Sequence, residues 1–191
     1  MIYSSSYVWA EYKFDDPYKY LKSQTIFLII GYIVMIIISK FPYQNYKKLA
    51  NIIFGICFIM LILVLIPGIG TVRNGSRSWF GIGGFGIQPS EFTKLGLIIF
   101  TSKYLSNNNK ILKDIKKGVL PILGVLILTF ALIMLEPDFG TGVVIVMTII
   151  VLLFISGVKM KFFIKLGLIG LIGIVILILI APYRLERIVS F

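Results

Sequence analysis

Six long apolar stretches, separated by segments of which every other one is rich in lysine, run from Gln24 to Ser39, Leu49 to Ile66, Ser90 to Leu105, Val119 to Leu135, Thr141 to Gly157 and Leu166 to Ala181. Roughly 20 apolar residues in a helix cross the hydrocarbon of a bilayer, and somewhat fewer suffice for a thin or locally protected span. With 58% of its 191 residues apolar, 14% charged and a mean hydropathy of +0.98, the chain has too little polar surface to coat a water-soluble globule. It reads as an all-α polytopic membrane protein of about six spans, one domain over residues 1–191 without a linker. The third span is the least apolar, which makes its polar residues the more interesting.

The net charge of +11 is distributed in a way that excludes a nucleic-acid-binding face, because the basic residues stand between apolar runs. Such a pattern suits a membrane with anionic headgroups. Segments 40–48, 103–117 and 158–165 together hold eleven lysines and a single acid, Asp114. The bias of Lys and Arg toward the cytoplasm assigns these three segments to the inner side. Residues 1–23, the loop from Pro67 to Pro89, the turn from Glu136 to Gly140 and the tail from Pro182 then face outside.

A single cysteine, Cys57, rules out a disulfide within the chain, and the lack of any histidine rules out a His base, a His ligand or a Ser-His-Asp triad. Residues 1–22 lack the apolar core of a cleavable signal peptide.

The stretch TVRNGSRSWFGIGGFGIQPSEFTK, Thr71 to Lys94, is the most informative. Asn74-Gly75 tolerates positive φ and signals a tight turn, so the segment around 71–88 reads as a hairpin-like loop with Arg73 and Arg77 flanking its turn. Beside Trp79 and Phe80, the two arginines either clamp the phosphates of a lipid headgroup or snorkel from an ordinary aromatic belt. GIGGFG lacks the preceding strand and nucleotide-fold context of a phosphate loop.

Gln88-Pro89-Ser90-Glu91 marks a helix start, with Pro89 at the first helical position and Glu91 where the dipole favours an anion. Lys94 lies three residues beyond Glu91 on the same face, so the two either pair or point together into an internal cavity. Ser90 and Lys94 are four apart, where a penicillin-binding serine motif requires three. Glu136-Pro137-Asp138 can meet the arginines, hold a divalent cation or form a polar turn. Gly167, Gly170 and Gly173 suit close helix packing.

RNGSRSWFGIGGFGIQPSEFTK, then EPDFGTG, then APYRLERI, with IYSSS, DPYKYLK and LVLIPGIG, resemble the SEDS family (shape, elongation, division and sporulation) of FtsW, RodA and SpoVE over essentially the whole chain. NGSRSW and PGIG are most similar to the FtsW and SpoVE branch.

The resemblance implies a multi-span peptidoglycan glycosyltransferase that polymerises lipid II, an undecaprenyl-pyrophosphate-linked disaccharide, outside the membrane, with a class B penicillin-binding protein as partner. By motif position it implies substrate or cavity roles for Arg77, Trp79, Gln88, Ser90, Glu91, Lys94 and Asp138, joined by Arg73 from the residue reading. It also implies a first helix whose end matches IYSSS, and a general-base aspartate in an outer loop beyond APYRLERI. No catalytic base is therefore expected within residues 1–191. A flippase for lipid-linked precursors and a non-catalytic remnant that docks a penicillin-binding partner are the competing readings.

Overall fold

The computed structural model describes residues 2–73, 76–82, 85–108, 110–112 and 114–169. Among the described residues, the architecture is carried by α1 (Ile2–Phe14), α2 (Lys19–Ser39), α3 (Tyr43–Leu65), α4 (Pro89–Asn107), α5 (Leu120–Leu135) and α6 (Phe139–Ile155). A π-helical turn, Ile115–Val119, leads into α5, and residues 160–169 are again helical. Three short strands, β1 (Thr71–Arg73), β2 (Ser76–Ile82) and β3 (Phe85–Ile87), lie between α3 and α4.

Three helical stretches among the described residues are long and apolar enough to cross a membrane: Lys19–Ser39, Tyr43–Leu65 and Ile115–Leu135, with the shorter apolar Phe139–Ile155 beside them. Apolar helix surface turned outward is stable only against lipid. α2, with 21 residues and none buried, displays Ile29, Ile33, Ile37 and their neighbours without covering them. Five of the six expected spans thus appear as helices, each somewhat different in extent. Most of the expected Leu166–Ala181 span lies outside the described residues, as do the Asn74–Gly75 turn, Gly170, Gly173 and the tail from Pro182.

The chain divides into two compact units, Met1–Tyr46 and Lys47–Phe191. In the first, α1 packs on α2, and the link between them is tied by Asp16, which accepts from the Tyr18 N–H at 2.9 Å and from Lys22 Nζ at 2.9 Å. The family resemblance places the end of a first helix at IYSSS and the remainder of residues 1–23 outside the membrane; α1 instead carries that helix on through IYSSS to Phe14.

In the second unit, α4 packs on α6 and α5 on α6, around a core that includes Leu61, Leu97, Ile122, Ile133, Ile145 and Ile149. α3 and α4 run antiparallel and meet along their length. Lys47 pairs with Ser106, Asn51 with Lys103, Phe54 stacks on Phe100 at 4.9 Å, and the Cys57 carbonyl accepts from Thr93 Oγ1 at 3.2 Å. Gly96 permits this approach, since a Cβ there would stand 3.2 Å from Cys57 Sγ and 3.4 Å from the Phe54 Cα. By contrast, a Cβ at Gly167 would meet nothing within 4 Å among the described atoms. Just past the Ser156 C-cap of α6 stands Gly157, whose φ of +82° is the left-handed conformation that glycine adopts without strain.

The strands form one antiparallel sheet in the order β1-β2-β3, with Val72 opposite Arg77, Arg73 opposite Ser76 and Gly81 opposite Gly86. A register irregularity between Thr71 and Val72 brings Thr71 opposite Trp79. The expected hairpin-like loop is therefore a three-stranded ribbon.

Candidate functional site

At the end of the second unit where α4 and α6 begin, the turn after α5 meets both the sheet and the start of α4. Pro89 at the first turn has no N–H to lose there, and the extended Gln88 before it starts α4. Gln88 does not cap its own helix. Its Nε2 donates instead to Asp138 Oδ2 at 2.8 Å, and Ser90 Oγ points at the same oxygen from 3.5 Å. Oδ1 of Asp138 accepts from the Thr141 N–H at 3.2 Å and so caps α6. One carboxylate thus joins two helix starts, each presenting the positive end of its dipole.

Glu91 and Lys94 form a two-pronged ion pair, with Lys94 Nζ 3.0 Å from each carboxylate oxygen. The Glu91 side chain is 52% exposed and that of Lys94 23%. Lys94 rises from the covered face of α4, which also holds Ser90, Thr93, Leu97 and Thr101, and its ammonium reaches outward to Glu91. Of the two arrangements the sequence allowed for this pair, the direct ion pair forms.

Arg77 sits partly buried in β2, its stem laid over Gly70, where a Cβ would come within 2.9 Å of Arg77 Cγ and 1.9 Å of the Val64 carbonyl oxygen. Its Nε is buried without a hydrogen-bond partner among the described residues. Arg73 lies opposite Ser76 in the ladder; its side chain is outside the described atoms. Trp79 is half-buried, and its carbonyl accepts from Thr71 Oγ1 at 2.9 Å.

The burial of one residue at this end does not follow from the sequence. Glu136 is fully buried, and both its carboxylate oxygens lack a partner among the described residues. Its backbone carbonyl accepts from the Ser76 hydroxyl, which ties β2 to the α5–α6 turn, and Ser78 Oγ stands 3.0 Å from that hydroxyl. Burial pushes the Glu136 carboxyl up to about 8, and the Asp138 carboxylate adds to the shift. The protonated form therefore prevails at neutral pH. An acid directly after an apolar run and before a proline was the available signal.

Among the described residues no three carboxylate or thiol groups gather to hold a metal ion, so Glu136 and Asp138 have no third acidic ligand beside them.

Lipid-facing helices with a carboxylate-centred polar cluster at one end define a polytopic helical membrane protein. The chain belongs to the FtsW/RodA/SpoVE family of cell cycle proteins, which matches residues 1–191.

Stage V sporulation protein E of Bacillus subtilis is 49% identical over 191 residues, covering 100% of this chain and 52% of that protein. The "Probable peptidoglycan glycosyltransferase FtsW" of Saccharophagus degradans is 36% identical, with 100% of this chain and 49% of that protein covered. The chain thus spans about half the length of the curated relatives it matches. Among solved structures, a chain of a peptidoglycan synthase complex superposes with a TM-score of 0.70 at 26% identity, over 98% of this chain and 55% of that one. The rod shape determining protein RodA of Thermus thermophilus superposes with a TM-score of 0.64 at 25% identity, over 92% and 56%.

Proposed function

We propose that this protein acts in peptidoglycan synthesis as a membrane glycosyltransferase, or as the part of one that binds the lipid-linked donor, polymerising lipid II for division, shape or sporulation. The observation that carries this reading is the family match over residues 1–191, together with the Gln88–Ser90–Asp138 cluster formed by the family's motif residues.

In such a reaction an acceptor hydroxyl attacks the anomeric carbon of the donor sugar and the undecaprenyl pyrophosphate leaves. Charge accumulates on the departing phosphates, so fixed cations and helix starts aimed there lower the barrier. Lys94, Arg77 and Arg73 supply the cations in this reading, and Asp138 holds the starts of α4 and α6 together. Glu91 steadies Lys94 and leaves its ammonium a donor for phosphate oxygens. The proton of the acceptor hydroxyl goes to a carboxylate that the family resemblance places beyond the segment matching APYRLERI.

Sidedness follows the lysine distribution, with segments 40–48, 103–117 and 158–165 in the cytoplasm and the sheet outside. Cysteine labelling near Asn74 from outside intact cells tests it; labelling only from inside overturns it. A class B penicillin-binding protein is the partner in this reading, supported by the likeness to a peptidoglycan synthase complex.

The activity is tested with labelled lipid II in proteoliposomes containing a class B penicillin-binding protein. The 191-residue chain is compared with a version extended through the family's later outer loop. The extended version is expected to make glycan strands and the shorter one to fall short by roughly a hundredfold or more, the usual contribution of a positioned base. Equal yields would misplace the base, and no glycan from either would overturn the enzymatic reading.

A further inference from the structure

The opposite end of the second unit holds a cleft of about 260 Å³ between the close of α4, the loop that follows it and the close of α6. Ser102, Ser106 and Ser156 give it hydroxyls, while Leu105, Leu112 and Ile155 give it an apolar wall. The loop is seated firmly: Leu112 is 3% exposed, and a Cβ at Gly118 would stand 2.5 Å from the Ile111 carbonyl oxygen. The Tyr104 hydroxyl donates to the Lys117 carbonyl at 3.2 Å and fastens the loop's far side to α4.

Two ammonium groups stand at the α3–α4 seam, the first of them bonded to the cleft wall. Lys47 Nζ donates to Ser106 Oγ, a group of the cleft wall, at 3.1 Å, and one helical turn along Lys103 Nζ donates to Asn51 Oδ1 at 3.0 Å. Both partners are neutral, and neither lysine has a carboxylate partner among the described residues. Each ammonium carries three donors and spends one here. Asp114, the one acid of the three lysine-rich segments, turns Oδ1 to the Lys116 N–H at 3.0 Å.

We propose that this cleft binds an anionic membrane phospholipid, its phosphate held by Lys47, Lys103 and the Ser106 hydroxyl and its first acyl carbons laid against Leu105, Leu112 and Ile155. Three features select a lipid over a soluble anion or an acidic peptide. The lysines stand where a membrane-crossing helix, α3, begins, which is headgroup depth. The polar and apolar walls meet in a single cleft, as headgroup and tail do in a single molecule. The uncompensated positive charge matches a phosphodiester and repels nothing in it. The assignment does not depend on the glycosyltransferase reading or on which leaflet faces this end.

The test is native mass spectrometry of the purified protein released from detergent carrying phosphatidylglycerol or phosphatidylcholine. Phosphatidylglycerol is expected to remain bound and phosphatidylcholine to leave. K47Q/K103Q should weaken phosphatidylglycerol on the order of twentyfold, from about fivefold per basic residue at a membrane surface. K13Q/K19Q, which removes the same charge from the first unit, should leave it unchanged. Ser106→Phe keeps every charge but fills the cleft and should also abolish binding, which separates a site from the general attraction of a cationic protein. Melting curves of each variant confirm folding, and the Ser106→Phe arm decides should K47Q/K103Q fail to fold. Equal retention of the two lipids, undiminished binding by Ser106→Phe, or occupancy by inorganic phosphate or an acidic peptide in place of lipid would overturn the proposal.

Discussion

The side-chain amide of Gln88 donates to Asp138 Oδ2 at 2.8 Å across 50 residues of sequence, linking the start of α4 to the start of α6. Asp138 also caps α6 through the Thr141 N–H, so one carboxylate serves a local and a long-range role at once. Any motion of one helix start is felt by the other through this single group.

Asp138→Ala removes both roles and is expected to destabilise the protein by about 0.5–2 kcal/mol, the range of a lost N-cap. Asp138→Asn keeps an acceptor oxygen for the Thr141 N–H and should recover most of that loss. Thermal unfolding in detergent reads both; an asparagine variant as unstable as the alanine one would show that charge, and not hydrogen bonding, matters at this position.

Glu136 makes stability depend on pH. Its folded value near 8 lies above the ordinary 4.5, so the fold favours the protonated carboxyl. The stabilisation is complete below about pH 4.5 and is lost as pH rises toward about 8, because the unfolded chain ionises first. Glu136→Gln should flatten this slope and gain about 1–2 kcal/mol above pH 8, where the native protein must otherwise bury a charge. Parallel pH-stability curves for the two proteins would refute the burial of an unpartnered acid.

Gly96→Ala places a methyl group 3.2 Å from Cys57 Sγ. Overpacking of this kind costs about 1–3 kcal/mol. Cys57→Ala removes the offending sulfur, so the double variant should be more stable than the sum of the single changes predicts. Simple additivity would mean that α3 and α4 do not meet at this point.

The Glu91–Lys94 pair separates stability from function. Its half-exposed carboxylate limits its structural worth to about 0.2–1 kcal/mol, so Lys94→Gln should barely move the melting temperature. The same change in a polymerising, extended version should cut glycan yield at least tenfold if the ammonium meets developing phosphate charge. A large loss of stability with unchanged yield would make the pair structural.

The helical elements were legible because apolar runs of span length leave little choice of fold, and the Pro89–Ser90 signature placed the start of α4 within one residue. Boundaries fared less well where lysines belong to helices: α2 begins at Lys19 and α3 at Tyr43, each five or six residues before its apolar run, since long cationic stems extend along a helix while their heads stay in the polar layer. The extension of α1 beyond IYSSS to Phe14 was not legible, because its mixture of serines, aromatics and charges shows no apolar stripe. Gln88, Ser90 and Asp138, which the structure brings together, stand out in the sequence by type and position. The burial of Glu136 does not, because it depends on a sheet whose Ser76 lies 60 residues earlier, and no local pattern encodes that approach.

The covered face of α4, with Ser90, Thr93 and Thr101 fully buried beside Gly96 and Leu97, also bears on how the protein is made. A segment this rich in hydroxyls partitions poorly into lipid by itself, because each hydroxyl left unbonded in hydrocarbon is costly. Thr93 meets that need partly within its own helix, through the Pro89 carbonyl, and partly on α3, through the Cys57 carbonyl. During synthesis α4 is thus expected to leave the translocon together with α3, as a helical hairpin, and not as a lone segment. Changes in α3 that spare its hydrophobicity but spoil this contact would then show up first as failed membrane insertion of α4.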